Sequence, residues 1–238
     1  MSVRMVLFDL DGTLLPMDQE VFIKAYFGAL VRKLAPYGFD ADGLIGSIWA
    51  GTKAMIKNDG SRLNLDAFWD VMESIYGKGM RAEREYIFDD FYANDFDREV
   101  RASCGFDERS ASTVRQIKEL GLRVALATNP LFPAVATQSR IRWTGLEPED
   151  FELFTSYENS SYCKPNLDYY REVMESLGVS ADECLMVGND VGDDMVASEL
   201  GIKVFLLTRD LINPKGVDIS IYPHGDYSDL LDYVKTLI

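Results

Sequence analysis

Histidine is almost missing from this chain: His224 is the only one among 238 residues. It stands in "YPHGD" near the C-terminus and reads as a loop position. Neither a histidine-based triad nor a multi-histidine metal centre is available. Cysteine is also sparse, with Cys104, Cys163 and Cys184 scattered without metal-ligand spacing. That excludes a zinc site and a disulfide framework, and it suits a reducing compartment. Positive charge is short as well: 24 basic residues face 39 acidic ones, a net charge of −15. Such a surface repels phosphate backbones, so nucleic acid and anionic membranes are excluded as expected partners. No apolar run approaches the roughly 20 residues that span a bilayer. The N-terminal "MSVRMVLFDLDG" turns acidic too early for a secretory signal. Internal repeats and low-complexity tracts are lacking. The expectation is a soluble, cytoplasmic protein of unspecified oligomeric state.

What the chain does have is apolar content of 47%, enough for a sizeable core. From about residue 105, apolar runs alternate with helical patterns. "LRVALATN" (122–129), "ECLMVGND" (183–190) and "IKVFLLT" (202–208) read as buried strands. Between them, 112–120 reads as a helix stopped by Gly121. A second helix over 165–177 has Pro165 in its first turn, Leu167, Tyr170, Met174 and Leu177 on one face, and Gly178 at its end. This alternation predicts an α/β fold with a doubly wound, mostly parallel Rossmann-like sheet. Residues 17–95 differ. Ile23, Phe27, Leu30, Val31 and Leu34 share a helical face, and further helices are expected near 41–57, 64–78 and 82–93. The segment is rich in aromatics and has no convincing strand. The predicted organisation is a sheet-bearing core of 1–16 and 96–238 with a smaller all-helical domain of 17–95 inserted after the first strand. The acidic stretch 88–99 reads as a solvated hinge face.

The first strand, "VLFDLDGTLLP", ends in paired acids. Residues two apart on a strand point the same way, so Asp9 and Asp11 project together while Leu10 turns into packing. In open parallel sheets, ligands bind beyond the strands' carboxyl ends. Two adjacent carboxylates repel, and a divalent cation relieves the conflict. Oxygen-only ligands favour a hard ion such as Mg²⁺, which keeps waters and contacts substrate phosphate. Gly12 permits a tight turn after which backbone amides can face an anion.

"DLDGTLL" resembles the first motif of the haloacid dehalogenase-like hydrolase superfamily. Three further motifs follow in the family's order: "LATN" with Thr128, "CKP" with Lys164, and "VGNDVGDD". Together they span residues 9–194. The resemblance implies a phosphatase acting on a small phosphorylated metabolite. Asp9 is then the nucleophile that forms an aspartyl-phosphate, and Asp11 the general acid and base. Gly12, Thr128, Asn129 and Lys164 bind phosphate, Lys164 from a helix start where the dipole also favours an anion. Mg²⁺ is held by Asp9, Asp11 (through its carbonyl) and Asp190, with Asn189 and Asp194 behind. The fourth motif departs from the commonest family pattern. Asp190 is favoured as the metal ligand over the neutral Asn189, which stays open as the alternative, and Asp193 is expected to be solvated. Cys163 reads as an inert packing residue.

The resemblance also implies that the helical insertion is a cap that closes over the site and reads the leaving group, with Trp49 or Phe22 as candidates to line it. A phosphomutase needs the same four motifs and remains the alternative. Dehalogenation is disfavoured because Asp11 is present. Phosphonate hydrolysis survives only through Lys53 and Lys57. A non-catalytic binding protein is disfavoured because the acids and Lys164 are intact.

Overall fold

The computed structural model describes residues 2–238. The sheet is built from β1 (Met5–Phe8), β2 (Arg123–Leu126), β3 (Cys184–Gly188), β4 (Lys203–Leu207) and β5 (His224–Gly225). Its order is β2-β1-β3-β4-β5, and every pairing is parallel. Each β1 residue is wholly buried, as expected of a central strand covered on both faces. The two-residue period sorts its side chains. Val6 and Phe8 join a core layer with Val114, Ile117 and Leu230, whereas Met5 and Leu7 join another with Tyr169, Tyr170 and Val173. The doubly wound α/β expectation holds. His224 is a correction: it begins the short edge strand β5 rather than lying in a loop, because the backbone at Leu206–Leu207 pairs with it.

Nine α-helices are present among the described residues. Four lie between β1 and β2 in the predicted insertion: α1 (Gln19–Leu34), α2 (Ala41–Ile56), α3 (Asn64–Tyr76) and α4 (Met80–Asp90). Asp18 starts α1 by accepting from the amides of Glu20 and Val21, and Asp40 starts α2 through Gly43. After α4 the chain does not leave the helix. It passes through a π-type turn over Phe91–Asp95 into α5 (Phe96–Val100). The boundary at 95/96 therefore falls inside a helical path. The insertion's two ends meet later, where Met17 pairs with Cys104 and the Gly105 amide donates to the Pro16 carbonyl at 2.8 Å. The acidic stretch 88–99 is a further correction. Phe88, Phe91 and Phe96 are buried, and Lys33 pairs with both Asp90 and Asp95. The apolar period outweighs the acids there, with one cation holding two of them.

The remaining helices are α6 (Glu108–Glu119), α7 (Ala134–Trp143), α8 (Leu167–Leu177) and α9 (Tyr227–Lys235). Gly178 ends α8 in the left-handed conformation, as its position predicted. The buried face of α8 is set by Tyr169, Tyr170, Val173 and Leu177, and Leu167 and Met174 are only half-buried. Pro165 is not in that helix. Asn166 is the N-cap, and the Lys164–Pro165 peptide is cis. Among the described residues, no helix is long and apolar enough to cross a membrane.

Candidate active site

The site forms where β1, β2 and β3 end. Asp9 directly follows β1, and its amide donates to the Val187 carbonyl at 2.9 Å. Its carboxylate accepts from Lys164 Nζ at 3.0 Å and from Thr13 Oγ1 at 3.0 Å. Leu10 is buried in the opposite layer, as the strand period required. Lys164 reaches Asp9 from a loop ahead of α8, not from the helix start expected for it. It is buried and also bonds Asp194 Oδ1 at 2.7 Å. Burial alone would lower its pKa, but Asp194 and Asp9 outweigh it and hold the ammonium well above its ordinary value.

The fourth motif wraps around this pair. The Asp194 carboxylate accepts the Asp190 amide at 2.9 Å on its other oxygen. Gly188 makes room for it: a Cβ there would lie 2.0 Å from Asp194 Oδ2. Burial pushes the Asp194 carboxyl upward, with Lys164 opposing and Asp9 adding. Asp190 Oδ1 accepts from the amides of Gly192 and Asp193 at 2.7 and 3.0 Å. The Thr13 hydroxyl, with one proton to give, lies 2.9 Å from Asn189 Oδ1 as well as 3.0 Å from Asp9, and Asn189 Nδ2 donates to the Asp210 carbonyl at 2.6 Å. Asp193 is a correction. It is half-buried, receives a bond from Asn129 Nδ2 at 3.3 Å, and its carboxyl is raised by burial and by Asp190. The tight turn after β3 folds it back toward the other acids.

Gly12 is corrected too. Its φ of 85° confirms the tight turn, but its amide donates to the Leu15 carbonyl at 2.7 Å and is not free for an anion. Its lack of a side chain serves Asn189 instead, whose Nδ2 would lie 2.3 Å from a Cβ at position 12. Thr128 is buried two residues beyond β2. Its carbonyl is held by Thr155 Oγ1 at 2.6 Å and Tyr169 Oη at 2.9 Å, which leaves its side chain facing the cavity. Asn129 faces the same cavity, and its Oδ1 is buried without a partner.

Arg140 is the residue that sequence reasoning missed. It is only 1% exposed, pairs with Asp11 Oδ2, and lies over the Phe132 ring at 4.5 Å. One signal was available: Arg140 lies on the buried stripe of α7 with Ala136, Thr137 and Ile141. The other Asp11 oxygen is buried without a partner, and burial is the main cause that raises this carboxyl, against Arg140.

These groups open onto one cavity of about 260 Å³, whose floor carries Asp9, Asp11, Asp190, Asp193 and Asp194. Among the described residues lining it, Lys164 is the single Lys or Arg. The floor therefore offers oxygen donors and excess negative charge, which fits a hard cation. No cluster of three or more His, Cys, Asp or Glu side chains is tight enough to hold a metal unaided among the described residues. Mg²⁺ does not need one, since it keeps waters and takes one or two carboxylates plus substrate oxygens. Phe22 and Trp49 both line the upper wall, and Lys53 and Lys57 are exposed outside it. Cys163 is buried with its thiol pushed up to about 12 by burial, as an inert residue should be.

Over 131 residues the chain is 27% identical to the glyceraldehyde 3-phosphate phosphatase of Methanocaldococcus jannaschii, covering 52% of this chain and 54% of that one. The match thus spans about half of that relative's length. It is 27% identical over 219 residues to the phosphoglycolate phosphatase of Vibrio parahaemolyticus, covering 87% and 84% of the two chains. Among solved structures, the fold resembles a 2-haloacid dehalogenase from Pseudomonas syringae pv. Tomato DC3000, with TM-score 0.65, 19% identity and 98% of each chain covered. The family model for haloacid dehalogenase-like hydrolase matches residues 3–201, and the chain belongs to that family.

Proposed function

We propose that this hydrolase removes phosphate from a small phosphorylated metabolite through an aspartyl-phosphate on Asp9. The observation that carries this reading is the position of Lys164, buried between Asp9 and Asp194 at 3.0 and 2.7 Å. Motifs separated by more than a hundred residues thus converge on the tip of β1. An Asp9 oxygen attacks phosphorus while the ester bond to the leaving oxygen breaks. Asp11 gives that oxygen its proton. Water then attacks phosphorus, the bond to Asp9 breaks, and Asp11 takes the proton from water. An Asp11 carboxyl raised by burial suits the acid role. Thr128 and Lys164 bind phosphoryl oxygens, and Asn129 stands beside them.

Asp9 and Asp190, with the Asp11 carbonyl, would hold Mg²⁺. When bound, the ion neutralises charge on the phosphoryl group and the crowded acids. Asp190 suits the ligand role better than Asn189, because its Oδ2 accepts no hydrogen bond among the described residues while the Asn189 amide nitrogen is tied to the Asp210 carbonyl and its oxygen lies against the Thr13 hydroxyl. The helices between β1 and β2 act as a cap over the site. The presence of Asp11 favours phosphoryl transfer over dehalogenation. Lys53 and Lys57 lie outside the cavity, which removes the support for phosphonate hydrolysis.

Asp9→Asn is expected to abolish phosphate release from para-nitrophenyl phosphate with an unchanged circular dichroism spectrum. EDTA should stop the wild-type reaction and added Mg²⁺ restore it. Turnover by the variant, or full activity in EDTA, would overturn the respective assignment.

A further inference from the structure

The cavity is charged only at its floor. Its upper wall is made by Phe22, Phe27, Ile48, Trp49, Phe68 and Phe132. Phe27 and Trp49 lie ring against ring at 5.6 Å, with Trp49 48% exposed at the mouth. Of the neighbouring polar groups, Tyr26 and Tyr92 share a 2.7 Å hydroxyl contact and Thr52 Oγ1 donates to the Ile48 carbonyl at 2.9 Å, whereas the Trp69 indole N–H is buried without a partner among the described residues; that group is a neutral donor and supplies no positive charge. No arginine or lysine lines this wall among the described residues, and Lys164 is held by Asp9 and Asp194 below. Arg140 stands behind the Phe132 ring at 4.5 Å, but it is 1% exposed and committed to Asp11. A second anionic group on a bound ester would therefore sit against hydrocarbon, above five carboxylates, with no uncommitted side-chain cation to meet it. Burying an unpaired charge in this way is strongly unfavourable.

A ring has the opposite fate. It removes aromatic wall from water and packs against faces already set at stacking distances. The volume allows it, since a dry apolar cavity of roughly 150 Å³ already admits benzene and this one measures about 260 Å³. We propose that the leaving group is an uncharged, apolar alcohol, aromatic or of similar bulk, and that the cap wall rejects phosphate esters carrying a second anion. This inference rests on the phosphatase reading and names its substrate class. Glycolate-type and pyrophosphate substrates fall outside it.

The test compares phosphate release from 1-naphthyl phosphate, phosphoglycolate and pyrophosphate by the Mg²⁺-loaded enzyme. The expected kcat/KM for naphthyl phosphate is roughly a hundredfold above either doubly anionic substrate. Equal or better turnover of phosphoglycolate or pyrophosphate would overturn the inference and leave the phosphatase reading standing. Trp49→Lys changes a half-exposed position and places a cation at the mouth. It should narrow the ratio roughly tenfold, and an unchanged ratio counts against the wall as the selector. A second arm does not depend on turnover. Asp9→Asn should bind 1-naphthyl phosphate saturably, read by tryptophan fluorescence, and not phosphoglycolate under the same conditions. Selective binding without phosphate release by wild type from any ester would sink the phosphatase reading, and absence of that selectivity would sink the inference.

Discussion

Two positions show how tightly individual residues shape the site. Gly188 has no Cβ because Asp194 occupies that space, with its Cγ 2.2 Å from where a Cβ would fall. Gly188→Ala must displace the carboxylate that holds Lys164. We expect a stability loss of about 1–3 kcal/mol from overpacking, read by urea denaturation, together with a fall in kcat. Wild-type kcat in that variant would show that Asp194 need not hold Lys164. Arg140 poses the reverse problem, a buried cation whose removal strands Asp11. Arg140→Met should cost about 3–5 kcal/mol, the usual price of leaving one partner of a buried pair uncompensated. Unchanged unfolding midpoints would contradict that pairing. Arg140 was legible only as a charge on an apolar stripe. Asp9, Asp11 and Lys164 were legible because strand ends and motif order place them without any knowledge of tertiary packing.

At the scale of elements, the strands and most helices followed from period and punctuation. β1 needed only a buried run, and α8 only an amphipathic stripe and Gly178. Where the reading missed, tertiary context had overridden local pattern. A π-type turn carried the chain from α4 into α5 through acids that looked like a hinge, and two residues at His224–Gly225 became a strand because β4 had a free edge. The start of α6 offers a test away from the site. Asp107 accepts from the Arg109 amide, pairs with the Arg109 side chain, and meets Arg209 at 2.9 Å. The Arg109 hydrogen bond is the main cause that depresses its carboxyl to about 2, against burial. A folded pKa below the unfolded value contributes stability at neutral pH that is lost as pH falls through the folded pKa. Asp107→Asn keeps the cap but not the charge. It should therefore be less stable by ~1 kcal/mol at pH 7, the deficit shrinking as pH drops from about 4 toward 2. Urea titrations at several pH values check this, and a deficit that persists at pH 2 would refute it.

For the whole molecule, the balance of charge explains the division of labour. A chain of net charge −15 gathers five aspartates at one floor and leaves a single lysine there to meet phosphate. In the proposed function the cation and the aromatic wall are complements: one would supply the missing charge, the other would exclude water and any further charge. The fold class was readable from the alternation of strands and helices. The apolar character of the wall was not, because helical periodicity cannot separate an aromatic side chain that fills a core from one that faces a cavity. The central claim is that Asp9 carries the phosphoryl group. Borohydride quenching of the enzyme during turnover of 1-naphthyl phosphate converts an acyl phosphate to homoserine, which peptide mass spectrometry locates. The account predicts homoserine at position 9. An unmodified Asp9 in enzyme that is releasing phosphate, with the reduced residue found elsewhere or nowhere, would contradict it.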